Sequence, residues 1–134
     1  MNKEKVLKHI KSLSNQSIAK HSQRFFKTKK GEYGYGDSFL GVRVPELRKL
    51  VTYYKKLPLN QLEYLLSSKY HEVRLFSILS LVKRFQNNKS TQERIYKIYL
   101  NNTQYINNWD LVDSSAHHIV GAYLLNKDKA ILYK

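Results

Sequence analysis

Both prolines and four of the five glycines lie before residue 60, and this distribution limits the chain to a largely helical fold. Glycine and proline are the strongest breakers of regular structure. Beyond Pro58, apolar residues recur at helical spacing between short polar breaks, and no segment alternates at period two over the length of a hairpin. We therefore predict an all-α fold in which helices are paired across short breaks.

The apolar spacing places the predicted helices at residues 3–13, 15–27, 44–54, 59–66, 71–85, 91–102 and 108–126. Residues 28–43 hold four glycines without a sustained period, which predicts a structured loop. The helix pairs begin near residues 45, 71 and 108, so their separations fall within the loose range of α-solenoid repeats. Spacing alone does not separate a solenoid from a helix bundle.

The net charge of +14 comes from 24 Lys and Arg against 10 Asp and Glu. The excess is densest in residues 1–30, where Glu4 is the only acid. A charge of this size favours a polyanionic partner, nucleic acid before an anionic membrane surface. The alternative is a composition rich in Lys, Asn, Tyr and Ile that has no binding role.

The chain has no cysteine, which excludes disulfides and thiolate metal sites. Residues 1–13 carry lysines throughout and no apolar run of signal-peptide type, and no stretch approaches the apolar length of a membrane span. We expect one domain over residues 1–134, located in the cytoplasm and not in a membrane. Its length of 134 residues suits one domain.

One row of side chains on the predicted 108–126 helix suggests chemistry. Trp109, Asp113, His117 and Gly121 are spaced four apart and share a helix face at the edge of the apolar stripe. From spacing alone, Trp109 is more simply a core anchor and Asp113 a partner for a neighbouring helix end. The paired glycines at 34 and 36 do not form a phosphate-binding loop, because the full motif and a preceding strand are missing.

Three segments together resemble the DNA alkylation repair family, the AlkD-like glycosylases. They are GYGDSFLGVRVPELRKL (34–50), HEVRLFSILSLVKRF (71–85) and NNWDLVDSSAHHIVGAYL (107–124). The third is the most specific, and the resemblance covers nearly the whole chain, more loosely in residues 1–30. It implies a right-handed α-solenoid of HEAT-like antiparallel helix pairs with a basic concave face on duplex DNA.

The resemblance also implies excision of N3- and N7-alkylated purines by hydrolysis of the N-glycosidic bond, without a metal or cofactor. The family's catalytic aspartate falls on Asp113 and its indole neighbour on Trp109. Some members use an aromatic residue from the second helix, and the matching region of this chain holds Phe25 and Phe26 in place of a tyrosine. An alkylated purine is a cation that leaves as a neutral base, so one carboxylate can suffice where ordinary glycosidases need two.

Family members extend beyond this length, and a tryptophan followed by paired arginines is expected after residue 134. Two alternatives stay open: the chain is the amino-terminal part of a longer domain, or it has lost an arginine that holds DNA at the site. Whether this chain alone is catalytically active stays open. A monomer is expected, with dimerisation if truncation exposes an apolar end over residues 119–132.

Phosphate contacts are expected from Lys and Arg. The candidate DNA-binding residues are Arg43, Arg48, Lys83, Arg84, His117 and Phe25. Two other functions stay open, a non-catalytic nucleic-acid-binding HEAT-like module and a protein-interaction scaffold. Salt-sensitive duplex binding separates the scaffold from the other two, and release of an alkylated base separates the enzyme from the binding module.

Overall fold

The structure is a computed structural model, and it describes residues 2–25, 38–106, 115 and 117–123. Its helices are α1 (Lys3–Ser12), α2 (Gln16–Phe25), α3 (Val44–Tyr53), α4 (Leu59–Leu65), α5 (His71–Asn87) and α6 (Gln92–Asn101). Short 3₁₀ turns cover Lys89–Thr91 and Thr103–Tyr105, and a π-helix covers His117–Gly121. Within these ranges the only β pairing is an isolated bridge between Ser38 and Tyr70. The predicted all-α fold is confirmed.

The helix boundaries follow from local sequence signals. Asn2 caps α1 by accepting a hydrogen bond from the Lys5 backbone N–H at 2.9 Å. Pro45 lies in the first turn of α3, where its missing N–H costs nothing. Pro58 separates α3 from α4 as predicted.

The predicted 108–126 helix is described only at residues 115 and 117–123, and there it is helical. It differs from the expectation at His117–Gly121, which form a π-helix. A π-helix closes its hydrogen bonds between residues five apart and shifts the side chains that follow. Residues four apart therefore do not share one helix face here, and the predicted row does not continue from His117 to Gly121.

The helices pack around α5. Both α3 and α4 pack against α5, and α5 also packs against the π-helix. The α1 helix contacts α4, with the Lys3 N–H donating to Gln61 Oε1 at 2.7 Å. Asn102, at the end of α6, donates from Nδ2 to Glu63 Oε2 of α4 at 3.0 Å. Helix packing of this kind suits stacked helix pairs, while the right-handed superhelix of a solenoid stays a prediction.

The central element is α5, because it contacts α1, α3, α4, α6 and the π-helix. Every residue from 71 to 81 is buried, including Phe76 and Ile78, which are fully so. A helix that is apolar on most of its faces is stable only in such a position. No helix in the described part of the chain is long and apolar enough to span a membrane.

The loop before α3 is fastened to α5 by a buried carboxylate. Glu72 accepts three backbone hydrogen bonds, from Leu40 at 2.9 Å, Gly41 at 2.8 Å and Val42 at 3.2 Å. Its position in the first turn of α5 also places the negative charge at the positive end of the helix dipole. The loop therefore has a defined path although it lacks a regular hydrogen-bond pattern.

A buried hydroxyl pair joins α6 to the residue that precedes the π-helix by two positions. Tyr99 Oη and Ser115 Oγ lie 2.9 Å apart. Burial raises the pKa of the Tyr99 hydroxyl, and its hydrogen bond to Ser115 offsets part of that rise. Burial also raises the pKa of Tyr54, with Tyr53 adding to the effect.

We expect Tyr99→Phe to lower the free energy of unfolding by about 1 kcal/mol, the net value of one intramolecular hydrogen bond. Because the folded-state pKa of Tyr99 lies above its unfolded value, the wild-type advantage is present below pH ~10 and declines as pH rises beyond it. Urea denaturation at neutral and alkaline pH measures both effects. Tyr96→Phe on the same helix is the control, and an equal loss in both variants would contradict the assignment.

Candidate nucleic-acid interface

A groove runs between α3, α5 and the π-helix, enclosing about 550 Å³. Because positions three and four apart share a helix face, α3 presents Arg48 and Thr52 together, and the last turns of α5 present Lys83 and Gln86. The described residues that line it are Arg48, Val51, Thr52, Leu79, Val82, Lys83, Gln86, Asn87 and His118. We call this cavity the basic groove.

The described lining of the basic groove includes two permanent cations and an imidazole, but no carboxylate. Arg48, Lys83 and His118 are all exposed to solvent. The acids of α3 and α6 pair elsewhere, Glu46 with Lys49 at 3.7 Å and Glu93 with Lys97 at 3.5 Å. A concave surface lined by charges of one sign concentrates the opposite charge, so the basic groove attracts anions.

Lys83 and Arg84, two consecutive cations near the end of α5, have different surroundings. Lys83 Nζ donates to Thr52 Oγ1 at 3.2 Å, which places the ammonium between α5 and α3. Arg84 is half-buried and donates from Nη2 to the Tyr54 carbonyl at 3.4 Å. Burial lowers the pKa of the Arg84 guanidinium. Arginine nevertheless keeps its proton in proteins, so both side chains contribute positive charge here.

Ser115 and the π-helix are anchored to the core at two points. Ser115 is fully buried and lies within hydrogen-bond distance of Tyr99. Ile119, in the π-helix, is also fully buried. His118, one residue earlier, reaches the basic groove. Ser115 is therefore held against α6, and the π-helix lies beside the groove.

A second concavity of about 550 Å³ lies at the amino-terminal ends of α3 and α5. Phe39 stacks on His71 with ring centroids 4.7 Å apart. The remaining described lining consists of Ser17, Ile18, His21, Val42, Arg43, Val44, Pro45, Glu72 and Leu75. This cavity mixes aromatic, apolar and charged groups, whereas the basic groove has no acid among its described residues.

A family model for DNA alkylation repair enzymes matches residues 6–134. The chain belongs to this DNA alkylation repair enzyme family. Membership gives it a role in DNA repair. Among curated proteins and among solved structures, no significant match to the chain was found.

The structure brings some of the site residues predicted for a DNA alkylation repair enzyme together and separates others. Arg48 and Lys83 line the basic groove, with Arg84 next to it. Arg43 is exposed at the start of α3 and lines the other concavity. Trp109 and Asp113 lie outside the described residues. Phe25 ends α2 and His117 begins the π-helix, and the structure describes their backbones only.

Two polar groups near the basic groove were not predicted from the sequence. Thr52 and Lys55 follow Arg48 at helical spacing, four and seven residues later, and this period could have identified them. Thr52 lines the groove, and Lys55 lines an adjoining cavity. The described residues contain no cluster of three or more His, Cys, Asp or Glu side chains able to hold a metal.

Proposed function

We propose that this chain binds duplex DNA along the basic groove and removes N3- and N7-alkylated purines by hydrolysing the N-glycosidic bond. The observation that carries the proposal is a groove lined by Arg48, Lys83 and His118, without an acid among its described residues, in a member of a DNA alkylation repair family. Asp113 is the proposed catalytic carboxylate, and Trp109 is its aromatic neighbour.

Binding in this proposal depends on the DNA backbone. Lysine and arginine side chains that neutralise phosphates release condensed counterions, so the affinity falls steeply with salt. Such contacts set the position of the duplex and carry no sequence information. A repair enzyme needs this property, since it must search DNA for damage in any sequence. Arg48 and Lys83 are exposed on neighbouring helices, which suits contacts to successive phosphates.

The proposed chemistry requires one carboxylate. Alkylation at N3 or N7 puts a positive charge on the purine, and breaking the glycosidic bond releases it as a neutral base. No acid has to protonate the leaving group, unlike in glycoside hydrolysis with two carboxylates. What remains to be stabilised is the positive charge that develops on the sugar as the glycosidic bond breaks. The Asp113 carboxylate would stabilise this charge and would also position the attacking water.

Trp109 supplies selectivity in this mechanism. An indole face attracts a cation by about 0.5–2 kcal/mol, depending on how far the pair is shielded from water. Alkylated purines carry a positive charge, which this contact stabilises, and undamaged purines do not. The proposal therefore explains how damaged bases would be preferred without a pocket that reads each base edge.

Two described features lie close to Asp113 in the sequence. Ser115, two residues later, is buried against Tyr99, and catalytic groups need such support from neighbouring hydrogen bonds and packing. The π-helix at His117–Gly121 follows directly, and π-helical turns occur frequently at functional sites.

The test uses a duplex methylated at N7 of guanine and an unmethylated duplex of the same sequence. We expect the wild-type chain to release 7-methylguanine from the first and no base from the second, as measured by chromatography. Binding of a fluorescent duplex should weaken as salt rises, and Lys83→Gln should reduce this dependence. The control is Lys97→Gln, which removes an exposed, ion-paired lysine of α6. Duplex binding without base release would support a binding module instead.

A further inference from the structure

A third cavity, of about 420 Å³, lies where the carboxyl-terminal ends of α3 and α5 meet the starts of α4 and α6. Its volume falls in the range of small-molecule pockets, roughly 300–1,000 Å³. The described lining consists of Val51, Lys55, Leu59, Ser80, Lys83, Arg84, Asn87, Asn88 and Thr91. We call it the Arg84 cavity. It adjoins the basic groove, with which it shares Val51, Lys83 and Asn87.

The charges in the Arg84 cavity are all of one sign within the described residues. Three of its side chains are cations, and none is a carboxylate. The ion pairs Lys3–Glu4, Lys49–Glu46 and Lys97–Glu93 all lie outside this cavity. Like charges gathered in one concavity repel each other, and an anion bound among them would reverse that energy.

Arg84 has donor capacity that its described neighbours do not use. Its one hydrogen bond to a described group is the long contact from Nη2 to the Tyr54 carbonyl, at 3.4 Å. Nε is buried without a partner. A guanidinium carries five N–H donors, and leaving buried ones unsatisfied is costly. Because Nε is shielded, the terminal nitrogens are the ones that a ligand can reach, and two parallel bonds from arginine suit a phosphate.

The Asn88 side-chain amide adds a neutral hydrogen-bond donor to the cations of the Arg84 cavity. The Asn88 side-chain oxygen is occupied, since it accepts from the Ser90 backbone N–H at 3.1 Å and from the Ser90 hydroxyl at 2.7 Å. This arrangement leaves the Asn88 amide hydrogens for another acceptor. A phosphate offers several acceptor oxygens and negative charge together, whereas a neutral ligand would leave the three cations uncompensated.

We propose that the Arg84 cavity binds a phosphate group, held by Arg84, Lys55 and the Asn88 amide. The phosphate can come from two sources, a phosphodiester of a DNA strand that continues out of the basic groove or a free phosphate. The first source rests on the proposed function, because it needs duplex DNA in the groove. The second does not. In both cases the same side chains meet the same chemical group.

Lys55 and Lys56 provide a matched pair for the test. Both are exposed in the turn after α3, but only Lys55 lines the cavity. K55Q and K56Q remove the same charge from adjacent positions, and neither disturbs the core. One assay measures binding of a fluorescent duplex between 50 and 200 mM salt. The other measures the Tm with inorganic phosphate against sodium chloride at equal ionic strength.

A phosphodiester in the cavity predicts that K55Q lowers the slope of log affinity against log salt by about one, with K56Q near wild type. A free phosphate predicts that phosphate raises the Tm of wild type and K56Q by a few degrees, with a smaller rise for K55Q. If the wild-type chain binds no duplex, the proposed function fails and the Tm assay alone decides. K55Q and K56Q behaving alike in both assays would overturn the cavity assignment.

Discussion

Asp113→Asn is expected to reduce the release of 7-methylguanine from methylated duplex DNA by at least 100-fold. Asparagine keeps the size of the side chain and removes its negative charge, so it cannot stabilise the cationic sugar. Removing one group that stabilises transition-state charge typically costs about 10²–10³-fold in rate. Duplex binding should stay within about twofold of wild type, because phosphate contacts and not this carboxylate dominate affinity. Single-turnover release and fluorescence anisotropy measure the two quantities.

Asp110→Asn is the matched control, since Asp110 lies in the same WDLVD segment and carries the same charge. We expect this variant to retain most of the activity. Equal release by Asp113→Asn and wild type would show that the carboxylate is wrongly assigned. A loss confined to Asp110→Asn would move the assignment to the other aspartate. A fall in base release and in duplex binding together would point to misfolding, which circular dichroism detects.

The helices were predictable because each depends on signals a few residues apart. The apolar period of α5 and the proline in the first turn of α3 identify these elements within their own segments. The tertiary packing of these helices agrees with the helices that the local sequence signals predict. The π-helix at His117–Gly121 was not predictable, since its period differs from the α-helix by a shift that apolar spacing does not reveal.

The candidate site was less predictable than the fold because its groups come from distant segments. Arg48 and Lys83 line one groove only because α3 packs on α5. Nothing in the sequence near Arg84 indicates that its guanidinium is half-buried beside the Tyr54 carbonyl. The prediction of Trp109 and Asp113 as site residues comes from the family resemblance, since their spacing alone favours a structural role. Local sequence patterns therefore predict the individual helices. A surface formed by several helices can be predicted only when their packing is known.

Gly41→Ala is expected to lower the free energy of unfolding by roughly 2–5 kcal/mol, from a strained backbone and overpacking together. Gly41 has a φ of +82°, a conformation that L side chains rarely adopt. A Cβ at this position would lie 1.8 Å from the Asn15 carbonyl oxygen and 2.8 Å from the Ala19 nitrogen. Both contacts are with backbone at the start of α2, so no side-chain rotation can relieve them. Urea denaturation monitored by circular dichroism measures the loss.

The strain at Gly41 would also weaken the hydrogen bonds that hold this loop in place. The Gly41 N–H donates to Glu72 at 2.8 Å, and the Leu40 carbonyl accepts from the Asn15 N–H at 2.8 Å. Moving the loop away from α2 would therefore also weaken its attachment to α5. Gly121→Ala is the control, because Gly121 is exposed in a helical segment, where alanine costs less backbone entropy than glycine. We expect its stability to be unchanged or slightly higher. If Gly41→Ala were as stable as this control, the close approach of the loop to α2 would be wrong.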